Sequence, residues 1–88
     1  MEGVSDADRR IIREIILGYF ELFEKGAFTR QHVYDVAMAD RDMPMIDNGL
    51  SVIFQEFEGL LSEGKIVLVA GDGAKAKFGL RPLYAHRR

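Results

Sequence analysis

The 88-residue sequence predicts an α+β domain: a three-helix core followed by a C-terminal antiparallel β-hairpin. Three observations carry that reading. Apolar residues recur every three to four positions through residues 12–23, 33–37 and 46–61. The runs KIVLVA and AKFGL flank the glycine turn GDGAK, and Gly64 separates the last helical stretch from the first of these runs. Periodicity near 3.6 marks helices with one buried face, and two extended runs sharing a short glycine-rich turn pair antiparallel.

A chain of 88 residues has room for one domain, with residues 5–82 as its core and 83–88 as a basic tail. A hydrophobic fraction of 48%, with three tyrosines and six phenylalanines, is enough for one compact core. There is no cysteine, which excludes disulfides and thiolate metal sites, and the two histidines are far apart in sequence, so no closed zinc site is expected. No apolar run approaches the roughly 18 residues of a membrane span. The start, MEGVSDADRR, lacks the basic head and apolar body of a secretory leader. A cytoplasmic protein with no cofactor and no membrane partner is expected. The net charge of −2 means that any affinity for nucleic acid must rest on local cations.

The first helix is expected over about residues 7–24 by its apolar spacing. Ser5 and Asp8 resemble a capping box, and Gly26 is expected to stop the helix in a left-handed cap. Its arginines, Arg9, Arg10 and Arg13, come early and its glutamates, Glu14, Glu21 and Glu24, mostly late. That pattern predicts a solvated face with i,i+4 pairs such as Arg10 with Glu14.

Ala27 and Phe28 are candidates for a short strand between the first two helices. Thr29 caps the second helix, about residues 30–39, whose inward stripe is Val33, Val36 and Ala37, with Tyr34 partly buried. His32 points away from that stripe and reads as a surface residue. Asp40 to Pro44 connects the second and third helices. Its spacing superficially resembles a calcium loop, but Pro44 and Met45 occupy the places of an acid and of the obligatory glycine, which rejects that reading.

Pro44 suits the first turn of the third helix, expected over about 45–62. Its core stripe reads Ile46, Leu50, Ile53, Phe57, Leu60 and Leu61, with Val52 and Phe54 off it. Gly64 ends this helix. In the hairpin, Ile66, Leu68, Ala70, Ala76, Phe78 and Leu80 form one apolar face expected to cover the helices, and the other face mixes Val67 and Val69 with Lys65, Lys75, Lys77 and Arg81. Pro82 ends the second strand. In the tail, Leu83 and Tyr84 are candidates to pack on the first helix, beside the basic His86, Arg87 and Arg88.

The order helix, short strand, helix, helix, hairpin resembles the winged helix-turn-helix superfamily over nearly the whole chain. The likeness is carried by GAFT (Gly26 to Thr29), LLSEGKI (Leu60 to Ile66) and the return strand KFGL (Lys77 to Leu80). A looser likeness, resting on the return strand and overall size, is to the D-protein family of dissimilatory sulfite reductase operons, and no function is carried over from it.

The winged-helix resemblance implies a small DNA-binding transcriptional regulator acting as a homodimer, with the third helix in the major groove and the hairpin as wing. Carried over, the base-reading positions on double-stranded DNA are Asn48, Ser51 and Gln55. Phosphate contacts fall to Lys75, Lys77 and Arg81 of the wing, with Arg30 or Arg41 beside them. The third helix departs from that pattern because it holds no lysine or arginine and carries Asp47, Glu56 and Glu58, which would face or flank phosphates. Asp47 also reads as a first-turn acid favoured by the dipole, and Glu56 and Glu58 as solvated acids. The alternative is a protein-interaction module that docks through this acidic helix or through Val67 and Val69 of the wing. No enzymatic role is expected. Gly71-Asp72-Gly73 reads as a hairpin turn, no serine or histidine has a placed partner for nucleophilic chemistry, and Glu56 and Glu58 point to different sides of a helix.

Overall fold

The computed structural model describes residues 5–81, and the tail residues Pro82, Leu83, Tyr84, His86, Arg87 and Arg88 lie outside them. Ser5 starts α1 (Asp6–Leu22) by accepting the Asp8 N–H on its Oγ at 3.1 Å. Asp6 and Asp8 stand in the first turn, where the helix dipole favours acids. The helix ends through the N–H of Phe23, which donates to the Tyr19 carbonyl at 3.2 Å. Gly26 is therefore not the expected left-handed cap; among the described residues positive φ occurs at Asn48, Gly64, Gly71 and Gly73. What Gly26 supplies is space, because a Cβ there would meet the Phe28 ring at 2.6 Å.

β1 (Phe28–Thr29) leads directly into α2 (Arg30–Ala39), where Thr29 Oγ1 accepts the His32 N–H at 3.1 Å. His32 is exposed but partnered: its Nε2 shares a 2.8 Å hydrogen bond with the Tyr19 hydroxyl, and its ring stacks on Phe28.

α3 (Gly49–Ser62) starts later than residue 45, so Pro44 lies in the connection and not in the first helical turn. Asn48, at φ 58° and ψ 37°, turns the chain into the helix. The later start leaves Ile46 outside the helix, although it still packs against the core. Val52 is buried, against the expectation that it lies off the stripe, and Leu50 is half exposed. The helix closes as a Schellman motif: Gly64, at φ 77°, donates to the Leu61 carbonyl and Lys65 to that of Leu60, both at 3.0 Å.

β2 (Ile66–Ala70) and β3 (Lys77–Leu80) form the expected antiparallel hairpin, closed by a 3-10 turn over Gly73–Lys75. β1 pairs with the other side of β3, placing Phe28 opposite Phe78, so the sheet order is β1-β3-β2. The ladder slips between Leu68 and Ala70. Of the apolar hairpin face, Ile66 and Phe78 are buried and Ala76 and Leu80 pack against the core, while Leu68 is 53% exposed and Ala70 is exposed.

The core joins Ile12, Ile16 and Phe20 of α1 to Val33, Tyr34 and Ala37 of α2 and to Val52, Ile53, Phe57 and Leu60 of α3. Full burial of each large apolar side chain contributes about 1.5–3 kcal/mol. No described polar or charged residue is buried, and none of the described helices is long and apolar enough to cross a membrane.

Candidate functional site

The N-terminal half of α3 presents an apolar strip. Leu50 and Phe54 lie four residues apart, hence on one face, and are 50% and 47% exposed. With Asn48, Ser51 and Tyr34 of α2 they line a shallow hollow of about 420 Å³. Tyr34 also borders a second hollow of about 340 Å³, shared with Thr29, Arg30 and Gln31 and with Gly73, Ala76 and Phe78 of the hairpin. The two hollows meet at Tyr34 and make one surface from the hairpin turn across α2 to α3. Half-exposed Met38 lies beside Gly49 and extends the apolar part.

Arg30 opens α2, at the positive end of its dipole, and is held by aromatic faces. Its guanidinium lies 4.8 Å from the Phe57 centroid, 5.2 Å from Phe78 and 5.7 Å from Phe54. It donates to the Tyr34 hydroxyl at 3.3 Å and to Glu58. Burial opposes its charge, but the hydrogen bonds to Tyr34 and Glu58 outweigh it and raise the pKa above the ordinary arginine value. Arg30 is thereby committed to internal partners.

Glu56 is also committed, contrary to the expectation of a solvated acid. It shares a row with Val52 and Leu60, four residues to either side, and its side chain is only 12% exposed. Arg9 donates to it at 3.2 Å and Arg13 at 3.1 Å. Arg13 also donates to Glu63 at 2.7 Å, and Arg9 to Gln55 Oε1 at 2.9 Å. These pairs tie α1 to α3 in place of the expected i,i+4 pair of Arg10 with Glu14. Hydrogen bonding to Glu63 is the main cause that raises Arg13 above its ordinary pKa, and the same bond holds the Glu63 carboxyl below its own.

The remaining sequence-derived positions separate into groups. Asn48 and Ser51 lie together on the exposed strip, whereas Gln55 is engaged by Arg9. Lys75 and Lys77 are exposed at the hairpin, Lys75 in the 3-10 turn and Lys77 opposite Thr29. Arg81 is elsewhere: its guanidinium covers Gly64, and it borders a cleft with Glu21, Glu24 and Glu63. Arg41 is exposed in the α2–α3 connection. Val69 is half exposed and Val67 less so. The roles missed by sequence reasoning are those of Leu50, which was expected in the core, and Tyr34; the i,i+4 pair Leu50 and Phe54 was the signal for an exposed strip. Among the described residues no group of three or more histidines or acids could hold a metal ion. No protein-family model matches this chain, and neither a curated protein nor a solved structure does.

The α1–α3 ion cluster carries a test. Glu56→Gln keeps the shape and removes the charge, with an expected loss of about 1.5–3 kcal/mol, the range of charge-assisted hydrogen bonds. The loss stays below that of a fully buried pair because Arg9 and Arg13 keep access to water. Urea unfolding checks it, and the gap from the native chain should narrow as the Debye length falls from about 30 Å in 0.01 M salt to about 3 Å in 1 M. On the acid side, Glu63 has a lowered folded pKa, so its contribution is complete above the ordinary value of 4.5 and is lost as pH falls through the lowered one.

Proposed function

We propose that this chain is a winged-helix module that docks on another protein through the surface joining the hairpin turn, Tyr34 and the exposed strip of α3. The observation that carries the reading is Leu50 and Phe54, each about half exposed, on a helix that holds no lysine or arginine. A helix that reads DNA needs cations nearby to neutralise phosphate. Here Arg30, which lies against Phe54 of the strip, is bound by Glu58 and three aromatic rings. Apolar side chains clustered on an exposed surface, bordered by Asn48 and Ser51, are what a protein interface uses at its centre and rim.

A second reading, DNA binding as a dimer, is favoured by one specific feature. Glu56 and Glu58 are neutralised by Arg9, Arg13 and Arg30 and so oppose phosphate less than their number implies. In that reading Lys75 and Lys77 lie on phosphate and Asn48 and Ser51 face the bases.

One pair of variants separates the two. Leu50→Gln with Phe54→Gln alters only exposed side chains and should leave the fold intact. It is expected to abolish binding to a purified partner recovered by affinity capture, while Lys75→Glu with Lys77→Glu leaves that binding in place. Salt-sensitive binding to random duplex DNA at micromolar protein, lost in the lysine variant and retained in the leucine–phenylalanine variant, would establish the second reading instead.

A further inference from the structure

A groove between α1 and the C-terminal half of α2 shares no lining residue with the surface described above. Its floor is Ile11, Ile15, Gly18 and Leu22 of α1 with Val36 of α2, and its volume is about 590 Å³. The four α1 positions recur at spacings of four, three and four, the seam a second helix packs along. Leu22 is 73% exposed and Ile11 is 37% exposed, so none of the described residues covers the seam.

Gly18 sits in the interior of a 17-residue helix, where glycine is unfavourable. The comparable glycine of α3, Gly59, has an internal reason: a Cβ there would meet the Arg13 guanidinium at 2.9 Å. At Gly18 no described atom lies within 4 Å of such a Cβ, so the packing of the described residues does not ask for a glycine and leaves a notch open on the seam.

The rim has one sign of charge. Glu14, Asp40 and Asp42 line the groove, and no described lysine or arginine does. Asp40 accepts the Asp42 N–H at 2.8 Å, which holds both acids at that end. α2 terminates there at Asp40 with no basic residue in its last turn, so the negative end of its dipole adds to theirs.

We propose that this groove receives an amphipathic helix of a different protein, apolar on one face and flanked by lysine or arginine. From Ile11 to Leu22 the seam runs about 16 Å, enough for about three turns of the incoming helix. Charge complementarity argues against a second copy as the occupant: its α1 would bring the same seam bordered by Glu14, setting that carboxylate against Glu14, Asp40 and Asp42.

The test uses a fluorescent helical peptide of about 14 residues, with leucine at alternating three- and four-residue spacing and lysine elsewhere, and a counterpart with glutamate for lysine. In fluorescence anisotropy the lysine peptide should bind the intact chain at least about tenfold more tightly than the glutamate peptide, with the difference shrinking in high salt. Gly18→Met adds a side chain where a Cβ meets no described atom within 4 Å, and Leu22→Gln removes an exposed apolar contact without adding charge to the rim; circular dichroism should show both folded, and each should weaken the lysine peptide at least about tenfold. Leu50→Gln with Phe54→Gln should leave binding unchanged. Equal binding of both peptides, undiminished binding to Gly18→Met and Leu22→Gln, or loss of binding in the Leu50 and Phe54 variant would each overturn the proposal. So would sedimentation showing a dimer of the native chain that Leu22→Gln dissociates, because the groove would then hold a second copy.

Discussion

Phe57→Ala is expected to remove a large part of the chain's stability, the most damaging single truncation in the molecule. Phe57 is fully buried and meets two aromatic edges, Tyr34 at 5.8 Å and Phe78 at 5.2 Å between centroids, so one ring joins α2, α3 and the sheet. Its outer face carries the Arg30 guanidinium at 4.8 Å. Truncation of a buried phenylalanine costs about 3–5 kcal/mol, and a domain of this kind holds only about 5–15 in all. At about 4–8 °C per kcal/mol the melting temperature should fall by roughly 15–30 °C. Phe54→Ala is the internal control: the same residue type on the same helix, half exposed, with an expected cost of about 1 kcal/mol or less. Thermal melts followed by circular dichroism compare the two, and similar losses for both would mean that α3 is rotated from the orientation described.

That rotation is also where sequence reasoning met its limit. The caps at Ser5, Thr29 and Gly64 were legible because each is a contact between residues three to five apart. The start of α3 was not. Pro44 suited a first helical turn, and extending the helix to it drew Leu50 and Ile46 into one stripe and pushed Val52 out. The competing signal was Asn48-Gly49, a dipeptide that favours a turn through its tolerance of left-handed conformation. Reading it would have moved the start to where the structure has it, at Gly49.

The electrostatic part of the site was legible only in hindsight, because it joins residues far apart in the chain. Arg13 reaches Glu56 and Glu63 across 43 and 50 positions. Local rules supply only i,i+4 pairs on one helix, such as Arg10 with Glu14. The signal that did exist was a match of rows: Arg9 and Arg13 four apart on one helix, Glu56 and Glu63 seven apart on another, each pair on a single face. Pairing those rows empties α3 of most of its apparent acidity. The large side chains then left on its exposed side are Leu50 and Phe54, beside the polar Ser51, which is why the apolar strip carries the functional reading.

The hairpin turn belongs to the same surface, and Gly71→Ala is expected to disrupt it far more than Gly73→Ala. Both glycines hold left-handed backbone, at φ 75° and 54°. An alanine at either pays about 1–2 kcal/mol for that conformation. Only at Gly71 does a Cβ also collide with backbone, 2.3 Å from the Lys75 carbonyl oxygen and 2.8 Å from its carbon, while at Gly73 nothing lies within 4 Å. Backbone cannot swing aside as a side-chain end can, so the 3-10 turn must open. With it goes the pairing of Ala70 with Lys77, the last rung of the hairpin. Amide hydrogen exchange of Lys77 to Leu80 should accelerate in Gly71→Ala and stay near native in Gly73→Ala. The surface should respond in step, because Gly73 and Ala76 line the hollow beside Tyr34: partner binding falls in Gly71→Ala even where the helices remain folded. Equal exchange in the two variants would show that the turn does not close against Gly71, and the hairpin would then have to be removed from the docking surface, leaving Tyr34, Leu50 and Phe54 to hold the partner alone.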